Sequence, residues 1–145
     1  METMNNPESL SAVIAAEQTV TRMYHALDRS DYAGASGCFT PDGIWERGGS
    51  ALNGQQQILA SLNKRSETLF TRHYITNFIV LEHGESVVKA AFALTVYRSD
   101  KGEPPTLPVD RPVAAMLADV ECELACSDRG DWLITRLDPR ITFAA

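Results

Sequence analysis

The sequence is poor in several features that mark common classes of protein. It carries 13 Lys and Arg residues against 19 Asp and Glu residues, a net charge of −6, and no cluster of basic residues. An acidic chain of this kind is not expected to bind nucleic acid or an anionic membrane surface. No apolar run approaches the roughly 18 residues that cross a bilayer. Residues 1–7 also lack the basic and apolar regions of a signal peptide. The sequence therefore predicts one cytoplasmic domain over residues 1–145.

Cysteine is also scarce, with only three in the chain. Cys122 and Cys126 are four residues apart in a predicted strand, which separates their Cα atoms by about 13 Å. That distance is too long for a disulfide and, with no histidine at ligand spacing, for a shared metal site. The sequence contains no phosphate-binding glycine loop, no Gly-x-Ser-x-Gly elbow and no helical pair of metal-binding histidines. Neither a metal nor a cofactor is expected, and proton transfer is the chemistry that remains.

The first half of the chain has the 3.6-residue period of helices. A long helix is predicted from Pro7, with Asn6 as its cap, to residues 28–31. The other predicted elements are, in order, a short helix over 32–39, a turn at Pro41-Asp42-Gly43, a short extended segment over 44–47, a bend at Gly48-Gly49 and a third helix over 53–69. The apolar stripe of the long helix consists of Leu10, Val13, Ile14, Val20, Tyr24 and Leu27.

From residue 73 onward the pattern has the two-residue period of strands. Long strands are predicted over 73–82, 86–99, 111–127 and 131–143, with an irregular proline-rich connection over 103–112. Helices followed by a run of antiparallel strands indicate an α+β fold, with the helices packed on one face of a meander. Because the strands exceed the usual five or six residues, the sheet is expected to curve strongly and enclose a pocket for a small ligand.

Two carboxylates lie on the apolar stripe of the first helix. Asp28 falls between the directions of Tyr24 and Ile14, and it ends the helix, where a negative charge is disfavoured by roughly 0.3–1 kcal/mol. Asp28 is therefore either a solvated helix end or a functional group. Glu17 lies on the same stripe three turns earlier, and its role stays open between an edge carboxylate and a second functional acid.

His73 opens the first long strand. The residues predicted to share its face are Ile75, Asn77, Ile79 and Leu81. A histidine and an asparagine on an otherwise aliphatic face need hydrogen-bond partners when buried. His73 is either a satisfied structural histidine or one half of a dyad with Asp28. In such a dyad the carboxylate fixes the imidazole tautomer and the imidazole acts as a base.

Other side chains are candidates for the pocket or for a subunit surface. Trp45 and Tyr97 have apolar bodies with polar tips and are predicted to line the pocket. Arg136 either binds an anionic group or pairs with an acidic row on the third long strand. That row, which predicts a solvated or subunit-facing surface, consists of Asp119, Glu121 and Glu123.

Motifs along almost the whole chain resemble the SnoaL-like branch of the NTF2-like superfamily. They are Tyr24…Leu27-Asp28…Asp31, Phe39-Thr40-Pro41-Asp42-Gly43, Gly54…Ile58, Arg72-His73-Tyr74-Ile75-Thr76-Asn77 and Trp132…Arg136. The resemblance implies a cone-shaped α+β domain with a pocket between the curved sheet and the long helices. It also implies a homodimer formed through the sheet.

The resemblance also implies a chemistry. Scytalone dehydratase, bile-acid dehydratase and hexachlorocyclohexane dehydrochlorinase carry an Asp near the end of the first helix and a His opening a strand. Asp28 and His73 stand at those positions, whereas Tyr97 and Arg98 replace a further acid or histidine on the next strand.

The leading hypothesis is a cofactor-independent lyase or isomerase that acts on a small, mostly apolar cyclic substrate. In this hypothesis Asp28 and His73 are catalytic, and Tyr24, Trp45, Asn77 and Tyr97 bind the substrate. The alternative is a non-catalytic binding or assembly subunit, similar to the small subunit of ring-hydroxylating dioxygenases.

Overall fold

A computed structural model describes residues 7–110 and 114–145 of the chain. The helices in these parts are α1 (Pro7–Asp28), α2 (Tyr32–Ser36) and α3 (Gln55–Leu62). The strands are β1 (Phe39–Arg47), β2 (Ser50–Asn53), β3 (Leu69–His83), β4 (Val87–Asp100), β5 (Met116–Cys126) and β6 (Trp132–Ala144). Asn6 and residues 111–113, which the sequence places in a helix cap and a strand start, lie outside the described residues.

The strands form one mixed, open sheet in the order β2-β1-β6-β5-β4-β3. The pairing of β1 with β6 is parallel, and the other neighbours are antiparallel. The helix α1 packs against β3, β4 and β6, while α3 packs against β1 and β2. This arrangement confirms the predicted α+β class with helices on a mainly antiparallel sheet. In the described residues, no helix has the length and apolar character needed to span a membrane.

The buried face of α1 differs from the predicted stripe. Its buried residues are Ser9, Ala16, Val20, Met23, Tyr24 and Leu27, whereas Leu10 and Ile14 are 45% and 59% exposed. On a helical wheel the observed face is rotated by about 60° from the predicted one. The predicted stripe omitted Ala16 and Met23, which are fully buried in the observed face. Asp28 then lies at the edge of the buried face, next to Tyr24.

The segment around Gly43 is a strand, so the predicted turn at Pro41-Asp42-Gly43 is wrong. The pairing of β1 with β6 shifts register between Phe39 and Ile44, which accommodates Pro41 as an irregularity in the ladder. A Cβ atom at Gly43 would lie 2.8 Å from the carbonyl oxygen of Ile134, so glycine serves close strand packing here. The helix α3 is also shorter than predicted, and β2 precedes it.

A bulge at Asn77 changes which residues of β3 face the core. Asn77 has φ = 56°, and the pairing with β4 shifts register between Thr76 and Ile79. Because one extra residue reverses the alternation, Phe78 packs against the core while Ile79 is 58% exposed. The predicted common face of His73, Ile75, Asn77, Ile79 and Leu81 is therefore wrong beyond Ile75.

A substitution of Gly43 tests the close contact between β1 and β6. Gly43→Ala should lower the free energy of unfolding by about 1–3 kcal/mol, because the new methyl group meets the Ile134 carbonyl, which is fixed backbone. The measurement is urea denaturation followed by circular dichroism.

Gly84→Ala is the matched control, because a Cβ atom there would meet the Val87 carbonyl oxygen at an ordinary 3.8 Å. Its free energy of unfolding should change by less than about 1 kcal/mol. Equal effects of the two substitutions would contradict the packing role given to Gly43.

Candidate active site

A cavity of about 790 Å³ opens between α1, the inner face of the sheet and the end of β6. This volume lies in the range of small-molecule sites, roughly 300–1,000 Å³. Its lining includes Tyr24 and Leu27 of α1, Trp45 and Arg47 of β1, Leu62 of α3, Thr71 and His73 of β3, Leu94, Val96 and Arg98 of β4, and Met116 and Ile141 of the last two strands.

Asp28 and His73 meet at the wall of this cavity. The imidazole Nδ1 of His73 lies 2.5 Å from Oδ1 of Asp28. The side chains are nearly buried, with 10% of His73 and 4% of Asp28 exposed. The Asp28 carboxylate accepts two further hydrogen bonds, from the Thr71 hydroxyl at 2.9 Å and from the backbone N–H of His73 at 2.8 Å. The two residues predicted to form a dyad are therefore in direct contact.

The surroundings of Asp28 favour its ionised form. Burial opposes ionisation, but the hydrogen bonds and charge of His73, together with the hydrogen bond from Thr71, outweigh it and hold the pKa of Asp28 below its ordinary value. An ionised Asp28 is a pure acceptor, so the proton between the two groups belongs to Nδ1. Within residues 7–110 and 114–145, no protein hydrogen bond occupies Nε2 of His73. The carboxylate thus selects the tautomer that leaves Nε2 as the basic nitrogen.

Two of the predicted substrate-binding residues line the cavity. The Tyr24 ring stacks against the His73 ring at a centroid distance of 5.1 Å and meets Phe92 edge to face at 6.2 Å. Burial raises the pKa of the Tyr24 hydroxyl, which therefore stays a neutral donor. The Trp45 ring stacks on Phe39 with a centroid distance of 5.7 Å, and the Arg47 guanidinium lies over the Trp45 ring. These rings fix an aromatic wall beside the dyad.

The structure does not bring Asn77 and Tyr97 to the cavity. Asn77 is exposed at the bulge of β3. Tyr97 alternates with the buried Val96 and points to the other face of β4, where its ring meets Tyr74 edge to face at 6.0 Å. There it borders a separate groove of about 590 Å³ that also includes Phe70. Both predictions failed for the same reason, because each depends on which side chains of a strand face the cavity.

Sequence reasoning missed Thr71 and the inward position of Arg98. Thr71 fixes the carboxylate of Asp28, and Arg98 lies opposite Thr71 in the pairing of β3 with β4. The signal for Arg98 was present: Leu94 and Val96 are inward-facing, and Arg98 is the next residue in the two-residue period. A threonine on the inner face of a strand carries no comparable signal.

Arg136 and Glu17 lie apart from the dyad. The Arg136 guanidinium is 3.5 Å from the carboxylates of both Glu46 and Asp138, so it forms ion pairs, but its partners lie outside the predicted acidic row of Asp119, Glu121 and Glu123. Glu17 is half-buried on α1 and is not a lining residue of the cavity. The predicted acidic row of β5 is confirmed on the outer face of the sheet.

The described residues contain no group of three His, Cys, Asp or Glu side chains that could hold a metal ion. The three cysteines are free thiols, and burial raises the pKa of Cys122 to about 12. A thiol of this kind is protonated and inert at neutral pH.

Solved structures share this fold at low sequence identity. A protein from Novosphingobium aromaticivorans assigned as a scytalone dehydratase is similar with a TM-score of 0.81, 15% identity, and coverage of 95% of this chain and 89% of that one. A hexachlorocyclohexane dehydrochlorinase of type 2 is similar with a TM-score of 0.78, 15% identity, and coverage of 95% and 90%. A protein from Catenulispora acidiphila, solved in complex with S-DNPA, has a TM-score of 0.71, 24% identity, and coverage of 89% and 94%. At these identities the likeness establishes the fold.

The sequence itself identifies the family. No curated protein matches the chain. The family model described as SnoaL-like domain matches residues 8–138, which includes both members of the dyad and every strand but the last part of β6. The chain therefore belongs to the SnoaL-like domain family.

Proposed function

We propose that the protein is a cofactor-independent lyase or isomerase in which His73 removes a proton from carbon. The observation that carries the proposal is the contact of 2.5 Å between Asp28 and a nearly buried His73 at the cavity wall. A histidine held in one tautomer by an ionised carboxylate is the usual arrangement of a general base at neutral pH. The dehydratase and dehydrochlorinase among the similar structures add support by analogy.

The proposed reaction begins when Nε2 of His73 takes a proton from a carbon next to an activating group. The electron pair of the broken C–H bond moves into the substrate, and either a leaving group departs with its own pair or the proton returns at another carbon. The first route is an elimination and the second an isomerisation. In both routes Asp28 stabilises the imidazolium that forms, because it is already ionised and aligned with Nδ1.

The rest of the cavity suits a small, ring-shaped substrate. Tyr24 and Trp45 supply flat apolar surfaces, and the neutral Tyr24 hydroxyl is available to a substrate oxygen. Leu27 and Leu62 keep water from part of the wall.

Substitution of either dyad member tests the catalytic role. The protein would be incubated in D₂O with a panel of cyclic ketones and hydroxyketones, and deuterium incorporation at the activated carbon would be followed by NMR. His73→Gln and Asp28→Asn should each reduce the rate of exchange or turnover by about 10²–10⁴-fold, the usual contribution of a general base.

His25→Gln is the control, since His25 is an exposed histidine of the same helix that carries Asp28. It should leave the rate unchanged. Full activity in either dyad variant would refute the proposal. Binding of panel compounds without exchange or turnover in the wild-type protein would favour the non-catalytic binding subunit instead.

The charge of Asp28 can be tested without a substrate. Because its folded-state pKa lies below the unfolded value of about 3.9, ionised Asp28 stabilises the fold above that pH. This contribution is lost as the pH falls through the folded-state pKa. The stability difference between the wild-type protein and Asp28→Asn should therefore be largest above about pH 5 and shrink in stronger acid. A difference that is constant with pH in urea denaturation would contradict an ionised Asp28.

The outer face of the sheet supports the proposal of a homodimer. The pairing of β3 to β6 aligns Tyr74, Thr95, Leu117 and Phe143 in one row across four strands. Tyr74 is 54%, Leu117 38% and Phe143 68% exposed, which makes an apolar surface of the kind that subunits cover. A second copy of the chain would bury this row in a two-fold arrangement.

Leu117→Glu should turn the proposed dimer into a monomer, because it places a charge in the middle of the row. Leu107→Glu is the control, since Leu107 is 65% exposed outside the sheet and the added charge is the same. Sedimentation velocity separates the two outcomes. A wild-type protein that sediments as a monomer at micromolar concentration would contradict this proposal.

A further inference from the structure

The cavity of this acidic protein has a positively charged wall. Four arginines, Arg47, Arg65, Arg98 and Arg140, line it, and the Asp28 carboxylate at the same wall is engaged by Thr71 and His73. The net charge of the whole chain is −6. The charge of the cavity is therefore opposite to the charge of the molecule, and this contrast is a local feature of the site.

Three of these guanidinium groups have no ion-pair partner among the side chains that the structure describes. Arg140 lies 4.0 Å from the Asp138 carboxylate. In residues 7–110 and 114–145, no carboxylate lies within 4 Å of Arg47, Arg65 or Arg98. We call these three residues the arginine cluster.

Aromatic rings position two members of the cluster. The Arg47 guanidinium lies 4.8 Å from the centroid of the Trp45 ring, and the Arg65 guanidinium lies 5.6 Å from the centroid of the Tyr32 ring. Stacking on a ring uses the flat face of the guanidinium and leaves the N–H groups at its edge free. The N–H groups at that edge form the bidentate hydrogen bonds by which a guanidinium binds an anion.

The charges of the cluster act on one another. Burial lowers the pKa of Arg47 and of Arg65, and the positive charge of Arg98 lowers both further, whereas Tyr24 opposes this at Arg47, and Tyr32 and Asp28 oppose it at Arg65. Arg47 and Arg98 are exposed and Arg65 is half-buried, so water screens part of this repulsion, but like charges on one cavity wall still favour a bound anion. Asp28, whose effect on Arg65 is the smallest of these, is already engaged by Thr71 and His73, so the cluster has no carboxylate of its own among the described side chains, which points to a ligand.

The cluster lies next to the dyad. Arg98 faces Thr71 across the pairing of β3 and β4, and His73 faces Val96 one inward position away. Diagonal neighbours of this kind are about 7–8 Å apart at their Cα atoms. The Thr71 hydroxyl in turn donates to Asp28. A small molecule whose anionic group is bound by Arg98 would thus be long enough to reach the His73 imidazole.

We propose that the ligand of this cavity is a small cyclic carboxylic acid, whose carboxylate is bound by Arg47, Arg65 and Arg98. A carboxylate matches the forked edge of a guanidinium and supplies the missing negative charge. Leu27, Leu62 and Leu94 then cover the apolar remainder of the molecule. The inference rests on the proposed function in taking this cavity as the substrate site, and it replaces a mostly apolar substrate with an apolar ring that carries an acid group.

The test compares two probes of equal shape, 2-naphthoate and 2-naphthamide, by titration calorimetry on the full chain. The wild-type protein should bind the carboxylate at least about tenfold more tightly than the uncharged amide, a difference of about 1.4 kcal/mol. Arg65→Gln and Arg98→Gln should each remove most of this preference while leaving the affinity for the amide unchanged.

Arg129→Gln is the control, because it removes the same charge from an exposed residue between β5 and β6. It should leave both affinities as in the wild-type protein. Arg98→Gln should also melt at the same temperature as the wild-type protein or higher, since it relieves repulsion in the cluster. Arg98→Lys serves as a second variant that keeps the charge but loses the fork, and it should reduce the preference as well.

Several results would overturn the inference. In the wild-type protein, these results are equal affinities for the two probes, or no binding of 2-naphthoate at a few millimolar. Tighter binding of 2-naphthyl phosphate than of 2-naphthoate would also contradict it. So would a preference for the carboxylate that survives in an Arg65→Gln/Arg98→Gln double variant.

The Asp28→Asn variant separates this inference from the proposed function. It should keep the preference for the carboxylate, because Asp28 is not a member of the cluster. A preference that persists while neither the wild-type protein nor the variants exchange carbon-bound protons would refute the catalytic proposal and leave the ligand class standing.

Discussion

The hydrogen bonds to the Asp28 carboxylate are the interaction on which the rest of the structure depends. Three donors from the start of β3 converge on a residue that ends α1, so the helix and the edge of the sheet are fixed at one point. A carboxylate at a helix C-terminus is unfavourable by itself. Its partners offset that cost, and they also hold the imidazole of His73 in one orientation. The contacts that join the end of α1 to β3 are therefore the same contacts that orient His73.

The sheet contributes to the site through its inner face. β4 presents an apolar series that ends in Arg98, and β1 presents Trp45 followed by Arg47 at the corresponding end. β4 is apolar where α1 packs on it, β1 is apolar where α3 packs on it, and both end in an arginine where the cavity opens. In this SnoaL-like domain the covered half of the inner face supplies the packed core and the open half carries the side chains of the cavity, so function must be argued from the site and not from the fold.

The sequence allowed the α+β class and the dyad to be predicted, because both depend on strong local signals. An acid on an apolar helix face and a histidine at a strand start each depart from the expected hydrophobic pattern. The structure brings these two residues into contact. What could not be predicted depends on strand phase and close packing. The bulge at Asn77 adds one residue to β3, and the strand β1 continues through Pro41 because Gly43 lets it lie against β6. Neither the bulge at Asn77 nor the continuation of β1 through Pro41 can be recognised from the hydrophobic periodicity of the sequence.

The bulge at Asn77 divides β3 into two lengths whose alternation of inward and outward side chains is offset by one residue, and a second register shift follows between Val80 and Glu82. The first length carries Thr71 and His73, and the second leads to the hairpin with β4. Because Asn77 absorbs the offset, a change of one residue in the second length alters which of its side chains are buried without turning His73 away from Asp28. The contact between Asp28 and His73 is thereby separated from the hairpin, so a change of one residue in the hairpin leaves the dyad in place.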